Sequence, residues 1–386
     1  MTTFMGERVP IKTWCHDIED SAVAQVYNLA KLPFVFSHVA LMPDCHAGYG
    51  MPIGGVIACD GVVVPNAVGV DIGCGMRARR LPIAHNDVGE KWLKDALGKI
   101  REAIPVGFSH HKDPADFPAS LRDAPEDIPV LRSELTKAKY QLGTLGGGNH
   151  FIELQAGSDG LLWLMIHSGS RNFGYKIAKE YNRIAQDLCH KWFSNIPPFK
   201  GEDGLAFLPE DSREGQDYIR AMSFALSFAR ENRRQMMSVA SNILSPEIDG
   251  GAEYDCHHNY ATKENHFGRN VWVHRKGAVE ARAGSLCLIP GSQGSSSYVG
   301  IGLGNPDSFC SCSHGAGRAM GRNEARRTLN LADEQEKMKG IIHSVRNEQD
   351  LDESVSAYKD IDAVMEAQSD LVKIETKLRP LAVVKG

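Results

Sequence analysis

Short apolar runs that end in glycine-rich turns recur along the chain, and longer stretches with apolar residues every three or four positions lie between them. The runs read as buried strands and the longer stretches as helices with one face inward. Helical spacing covers residues 13–31, with Asp17 or Asp20 as the cap and Val23, Val26, Tyr27 and Ala30 on one face. Asn86 or Asp87 caps a second helix reaching about Ile104, with Glu90 in the capping-box position and Leu93, Leu97 and Ile100 inward. Further helices are expected over 174–194, over 214–244, after residue 318 with Met320, Ala325 and Leu329, and over 352–377. Strands are expected over 34–41, 61–70, 161–166, 271–275, 284–289 and 381–384. Residues 105–129, rich in Pro, Asp and His, read as an exposed loop or lid with His110 and His111 at the surface. No repeat, low-complexity tract or linker divides the pattern, which predicts one domain over residues 1–386.

Composition narrows the class. The 386 residues are 42% hydrophobic and 24% charged, as in an ordinary globular protein, and no apolar run is long enough to span a bilayer. The first eight residues lack the charged-then-apolar pattern of a signal peptide. Nine cysteines at irregular spacing do not form a disulfide framework, and a reducing cytoplasm is the expected location. The net charge of −5 excludes a generally basic surface, so any contact with nucleic acid must be local. Arg220, Arg230, Arg233 and Arg234 on the 214–244 helix read as a solvated face.

The 38 glycines and 15 histidines are unevenly spread, and this changes the picture most. Asp71 and Cys74 sit in a turn where Gly73 and Gly75 allow both side chains to point at one spot. A carboxylate with a thiolate suits a transition metal better than magnesium or calcium. Asp44, Cys45 and His46 stand before Gly48 and Gly50; they read either as contacts beside a metal or substrate, or as a glycine-rich turn. Three glycines, 146–148, precede Asn149, His150 and Glu153 at a strand start. His167 closes the next strand, and Arg171 follows at a helix start. His257 and His258 form a further cluster. The loop from Pro290 to Ser297, all backbone amides and hydroxyls after an apolar strand, reads as a phosphate or nucleotide cradle. Asp71, Cys74, His150, His167 and one of His257 or His258 thus offer five mixed donors, which suit one or two catalytic ions with open positions. His314 stands apart, with Gly315 and Gly317 beside it and Arg318 one turn on, at an expected helix N-terminus that would favour an anion. An imidazole there can act as a nucleophile.

Taken in order, the segments 69–76, 146–153, 167–174, 257–259, 290–297 and 314–318 and the terminal Val384-Lys385-Gly386 resemble those of the RtcB family of RNA-splicing and RNA-repair ligases. The resemblance runs from about Met42 to the last residue. It implies a compact α+β domain of the family's own kind, with mixed sheets flanked by helices and a metal and nucleotide site in a central cleft. It implies two Mn²⁺ ions, GTP and a covalent histidine–GMP intermediate, used to join RNA 3′-phosphate or 2′,3′-cyclic phosphate ends to 5′-hydroxyl ends in repair or tRNA splicing. Carried over residue by residue, the metal ligands are Asp71, Cys74, His150, His167 and His258, and the guanylated residue is His314. Nucleotide contacts fall on Asn149, His150, Phe151, Ile152, Glu153, His258, Asn259, Pro290, Gly291, Ser292, Gln293, Ser297, His314, Gly315, Ala316, Gly317 and Lys385. The chain is short for the family, which bears on its RNA contacts more than on its chemistry. Whether an archease-like activator takes part is left open. Two rivals use the same residues: a metal-dependent phosphohydrolase or cyclic phosphodiesterase acting on RNA ends without ligation, and a non-catalytic RNA- or metal-binding protein.

Overall fold

In the computed structural model, which describes every residue except 193, 195–203, 246–250, 344 and 346, the apolar runs gather into two sheets. The chain begins with β1 (Thr2–Phe4), β2 (Ile11–Thr13), α1 (Asp20–Lys31), β3 (Val35–His46), β4 (Ile53–Cys59), β5 (Val62–Val63), α2 (Pro65–Val68) and β6 (Gly75–Ala84). Then come α3 (Glu90–Ala103), α4 (Pro129–Gln141), β7 (Phe151–Gly157), β8 (Leu161–Ser168), α5 (Arg171–Lys191), β9 (Leu208–Pro209) and α6 (Arg213–Leu244). The last part holds β10 (Glu253–His257), β11 (Asn259–His266), β12 (Arg269–Lys276), β13 (Ala278–Glu280), β14 (Leu286–Ile289), β15 (Ser297–Gly302) and β16 (Ser311–Ser313). It closes with α7 (Arg322–Thr328), α8 (Leu331–Lys337), α9 (Ile361–Ala367) and β17 (Val372–Lys385).

One sheet has the order β1-β2-β3-β4-β12-β11 and the other β10-β6-β8-β7-β17-β15-β14. Helices α1, α2, α5 and α6 bury Val26, Leu29, Val68, Ile177 and Phe228 with Val39, Leu41 and Ile57 of the first sheet. Leu93, Leu97 and Ile100 of α3 pack with Met236 of α6 and with Ile152, Leu164 and Val384 of the second sheet. Each such fully buried side chain contributes roughly 1.5–3 kcal/mol, so these helices are held by their apolar faces more than by caps. Among the described residues no helix is long and apolar enough to cross a membrane.

Several expected elements take another form. The buried run 61–70 is a two-residue strand and then the helical turn α2, because Pro65 lacks an N–H and its fixed φ suits the first helical position. The first helix starts only at Asp20, since the Trp14 N–H donates to Leu41 O (2.9 Å) and draws residues 11–14 alongside β3. Its cap position is Glu19, whose carboxylate accepts from the Ala47 N–H instead of capping the helix. Val23 is half-buried and Tyr27 exposed. Gly89, rather than Asn86 or Asp87, precedes α3. Strand β3 extends to His46, paired with Ile53, so Asp44 and Cys45 are strand residues and not part of a turn. Helix α4 lies in a stretch with no sequence expectation. Helix α5 ends at Lys191, and the expected turn to 194 passes through residue 193, outside the described residues.

The largest departures are near the C-terminus. The expected helix over 352–377 is short 3₁₀ turns, then α9, then the first half of β17. Val372, Thr376 and Leu378 are buried while Lys373, Glu375 and Lys377 are exposed, a period-two signal hidden by the high charge. No helix opens at His314 either. Residues 311–313 pair with β13, Gly317 turns the chain at φ +72°, and α7 begins at Arg322. On α6, Arg233 is fully buried rather than solvated. It forms two hydrogen bonds to Asp255 (2.9 and 2.8 Å) and donates to the Gly73 and Ser168 carbonyls (both 2.9 Å). It therefore braces the two turns that carry the site, while Asp255 is also paired with Arg77 (3.1 Å).

Candidate metal and nucleotide site

Neighbouring strands of the seven-stranded sheet end at one edge, and the chemistry collects there. His257 pairs with Gly75, Met76 with His167, His167 with Phe151, and Phe151 with Lys385. Segments distant in sequence are thereby brought side by side. Cys74 Sγ lies 3.5 Å from His150 Nε2 and 3.3 Å from His167 Nε2. Asp71 Oδ2 is 3.2 Å from His150 Nε2, and His258 Nε2 is 3.4 Å from His167 Nε2. Cys74, His150 and His167 form the compact donor group, with Asp71 and His258 on its flanks. Gly169 is required here, since a Cβ would collide with the Asp71 carboxylate.

The residues fit a soft divalent ion. His150 Nδ1 donates to Leu145 O (2.9 Å) and His167 Nδ1 to Asn149 O (3.1 Å), so both Nε2 atoms carry their lone pairs inward. His257 and His258 face different ways. His257 Nδ1 lies 3.1 Å from Gly73 O and 3.2 Å from the Arg233 guanidinium and bonds one or the other according to its tautomer, whereas His258 turns Nε2 toward the cluster. Burial, with the charges of neighbouring histidines, pushes the pKa of His167 and of His258 well below the usual imidazole range and keeps both neutral. Burial, and then Asp71, drives the Cys74 thiol well up. For Asp71 burial acts to raise the carboxyl, but the hydrogen bond and charge of His150 outweigh it and the net shift is downward. A bound cation would reverse the pressure on the thiol, because metal binding displaces its proton. A donor set of thiolate, imidazoles and one carboxylate suits a transition ion and does not suit magnesium.

Beside this group lies a cleft of about 1090 Å³ lined by Asp71, Cys74, Asn149, His258, Asn259 and His314, among others. The His314 ring stands 4.8 Å from that of His258. Its Nδ1 donates to Asp44 Oδ2 (2.6 Å), and the same oxygen accepts the His314 main-chain N–H (3.1 Å). Asp44 is wholly buried at the end of β3. The carboxylate fixes the Nδ1–H tautomer and leaves Nε2 as the atom with a free lone pair. Gly317 permits this contact, since a Cβ there would strike the Asp44 carbonyl. A helix N-terminus takes no part; the side chain is oriented by a buried carboxylate.

The remaining candidates form a second group behind the cleft wall. Lys385 Nζ lies 5.7 Å over the Phe151 ring and pairs with Glu353 Oε2 (2.8 Å). Glu353 also meets Arg318 (3.4 Å), Arg322 and the Tyr358 hydroxyl, and its carbonyl accepts from Gln293 Nε2 (2.8 Å). Burial would raise its carboxyl, but Lys385 and Arg322 bring it down to about 2. Nothing in the sequence pattern marked Glu353, because it fell in the expected charged helix. Gln155 Nε2 bridges Glu153 (3.1 Å) and Ser297 Oγ (2.9 Å). Burial pushes the Glu153 carboxyl up to about 8 despite Gln155 and Lys385. Ile152 is buried in the apolar core, so only its main chain is available to a ligand. Gly315 lies against Pro290, and the Ala316 N–H donates to Pro290 O (3.0 Å). The Pro290–Ser297 loop closes on itself: the Gly291 N–H donates to Ser297 Oγ, the Ser292 N–H to Ser295 Oγ and the Ser295 N–H to Ser292 O. These amides are engaged, contrary to the open cradle expected, while buried Gln293 Oε1 has no partner. Asn259 is likewise used internally, joining Asp71 O (3.1 Å) to the Gly277 N–H (2.9 Å).

Comparison with known proteins accords with this arrangement. The family model described as tRNA-splicing ligase RtcB matches residues 25–128 and 120–386. The RNA-splicing ligase RtcB of Escherichia coli strain K12 is 39% identical over 408 aligned positions, covering 98% of each chain. The tRNA-splicing ligase RtcB of Pyrobaculum aerophilum is 32% identical over 467 positions, covering 98% of this chain and 95% of its own. The RNA-splicing ligase RtcB of Mycobacterium bovis is 31% identical over 436 positions, covering 94% and 100%. The archaeal alignment has more positions than this chain has residues, so gaps fall in the present sequence.

Proposed function

The chain belongs to the RtcB family, and from that premise we propose that it is an RNA ligase that joins 3′-phosphate or 2′,3′-cyclic phosphate ends to 5′-hydroxyl ends with GTP and Mn²⁺. The observation that carries the mechanism is His314, its Nδ1 held by buried Asp44 and its ring against His258 of the metal-donor group. Nε2 attacks the α-phosphorus of GTP; a P–N bond forms, the bond to pyrophosphate breaks, and Asp44 stabilises the positive charge that builds on the ring. An oxygen of the RNA 3′-phosphate then attacks the histidine-bound phosphorus, which frees His314 and caps the RNA with GMP. Finally the 5′-hydroxyl attacks the RNA phosphorus, GMP leaves, and a 3′,5′-phosphodiester remains. Asp71, Cys74, His150, His167 and His258 would hold manganese, which offsets phosphate charge and aligns the leaving groups. Phe151, Glu153, Gln293, Ser297 and Lys385 would hold the guanine nucleotide. The nine cysteines, all free, fit a reducing compartment such as the cytoplasm.

Incubation with α-labelled GTP and Mn²⁺, followed by denaturing electrophoresis, tests the reading. A labelled protein band, labile in acid and stable in base, is expected from a phosphoramidate. Release of phosphate from RNA ends with no labelled band would replace the ligase by a phosphohydrolase.

A further inference from the structure

One aromatic residue of the cleft has no part in the chemistry above. Tyr49 follows β3, lines the cleft and is 53% exposed. Its main chain is tied down on several sides. The ammonium of buried Lys276 donates to the Tyr49 carbonyl and to Asn66 O (3.1 Å). The preceding residues are strapped to α1 and the residue before it: Gln25 bonds both the Gly48 carbonyl and its N–H (3.2 Å), and Glu19 takes the Ala47 N–H. The stem of Lys276 runs beside Gly69, two residues before Asp71, so this aromatic segment adjoins the metal-ligand turn. Among the described residues the Tyr49 ring makes no ring–ring or cation–π contact. A fixed backbone with an exposed ring beside the reacting centre is a pre-organised platform that loses little conformational entropy on meeting a flat partner.

We propose that Tyr49 stacks on a nucleobase of an RNA end and so positions that strand at the metal group, an inference that rests on the RNA-ligase reading above. Two arguments favour a base over other partners. At a net charge of −5 the molecule cannot draw RNA by overall attraction, and stacking is the term of single-strand recognition that does not depend on charge. Of the candidate residues for GTP, Phe151 and Lys385 lie outside the lining of the cleft that Tyr49 shares with Asn149, His258 and His314. Stacking also suits a repair enzyme, because every base offers a ring face and sequence is not read.

The base could belong to the 3′-phosphate strand or to the 5′-hydroxyl strand, and abasic substrates separate the two. Binding of fluorescein-labelled single-stranded oligoribonucleotides is measured by anisotropy, in parallel with GTP labelling of the protein. Tyr49→Ala should weaken binding of one strand about 5- to 100-fold, the range expected for loss of one stacked base. Tyr49→Phe should stay within about twofold of the parent, since the ring face is kept. Removing the terminal base from the responsible strand should weaken binding to the parent by a similar factor and leave Tyr49→Ala unaffected. GTP labelling of His314 should be unchanged in both variants. Equal binding by the parent and Tyr49→Ala, or a loss that persists with abasic ends on both strands, would overturn the assignment. Absence of labelling in the parent would count against the ligase reading alone, because the binding measurement does not need the covalent step.

Discussion

The two halves of the site are held together by different forces. On the proposed metal side burial keeps His167 and His258 neutral, and main-chain carbonyls orient two of the rings: Leu145 O for His150 and Asn149 O for His167. On the proposed nucleotide side, charged side chains hold one another. Glu353 meets Lys385, Arg318 and Arg322, and its carboxyl is brought down to about 2. A site aimed by the backbone is rigid and insensitive to salt. A site aimed by paired side chains depends on each partner, since a charge left alone in a buried place is costly. His314 stands at the junction, near His258 on one side and one residue before Gly315, which lies on Pro290.

Breaking the junction should have the largest effect. His314→Ala is expected to abolish both the GTP adduct and GTP-dependent sealing. It should still join RNA whose 3′ end already carries the guanylyl cap, because that step needs no histidine nucleophile. Peptide mapping of the labelled parent protein checks the site, and a label on any other residue would refute it.

Next in size is a change on the metal side. Cys74→Ser replaces a thiolate by a hydroxyl, a poor ligand, and should weaken Mn²⁺ binding by ~10–100-fold, the scale on which metal affinity responds even to changes around the ligands. Electron paramagnetic resonance titration of free Mn²⁺ measures this, and wild-type affinity would remove Cys74 from the site.

A change on the nucleotide side should leave the metal side untouched. Deletion of Lys385 and Gly386 is expected to raise the GTP requirement for adduct formation about tenfold or more, since a charge-assisted contact of about 1.5–3 kcal/mol is lost. Glu353→Gln should act the same way through its three cationic partners. In both variants the Mn²⁺ titration should match the parent; a shared loss of both ligands would show that the two halves are one coupled unit.

The smallest expected effect concerns Glu153. Its carboxyl titrates at about 8 in the folded chain against 4.5 for an ordinary glutamate, and burial is the cause. The folded state therefore holds a proton that the unfolded chain gives up, and this contribution is full below the ordinary value and lost as pH rises through about 8. Glu153→Gln should reduce the fall in Tm between about pH 6 and about pH 9 by about 2 °C or more. Identical pH profiles for the two proteins would show that Glu153 is ionised in the fold.

These contrasts explain how much could be read beforehand. Asp71, Cys74, His150, His167 and His258 stand next to glycines or at strand ends, and such local marks survive in a sequence. The strand ends meet as the pattern suggested, and His258, the member of the pair that the resemblance implied, is the one whose Nε2 faces the cluster. Glu353 carries no local mark, because its charged partners Arg322, Lys385 and Arg318 lie 31 to 35 residues away. Arg233 looked like its solvated neighbours until α6 proved to lie beneath the Gly73 turn. Burial had to be known before charge could be interpreted. The helix expected at His314 failed for a related reason: Gly317 serves a close approach to Asp44, the strand residue 270 positions from His314.

Strand β17 occupies an interior place in its sheet, between β7 and β15, although it follows both by many residues. On the ribosome, β7 and β15 therefore emerge as unpaired margins and must wait for a strand still to be translated. A message broken before codon 372 would leave both margins open to strands of other chains. Such a product could neither form the pair between Lys385 and Phe151 nor be expected to stay monomeric. A chain that ends before Val372 thus loses the Lys385–Phe151 pairing and gains two open strand margins at once.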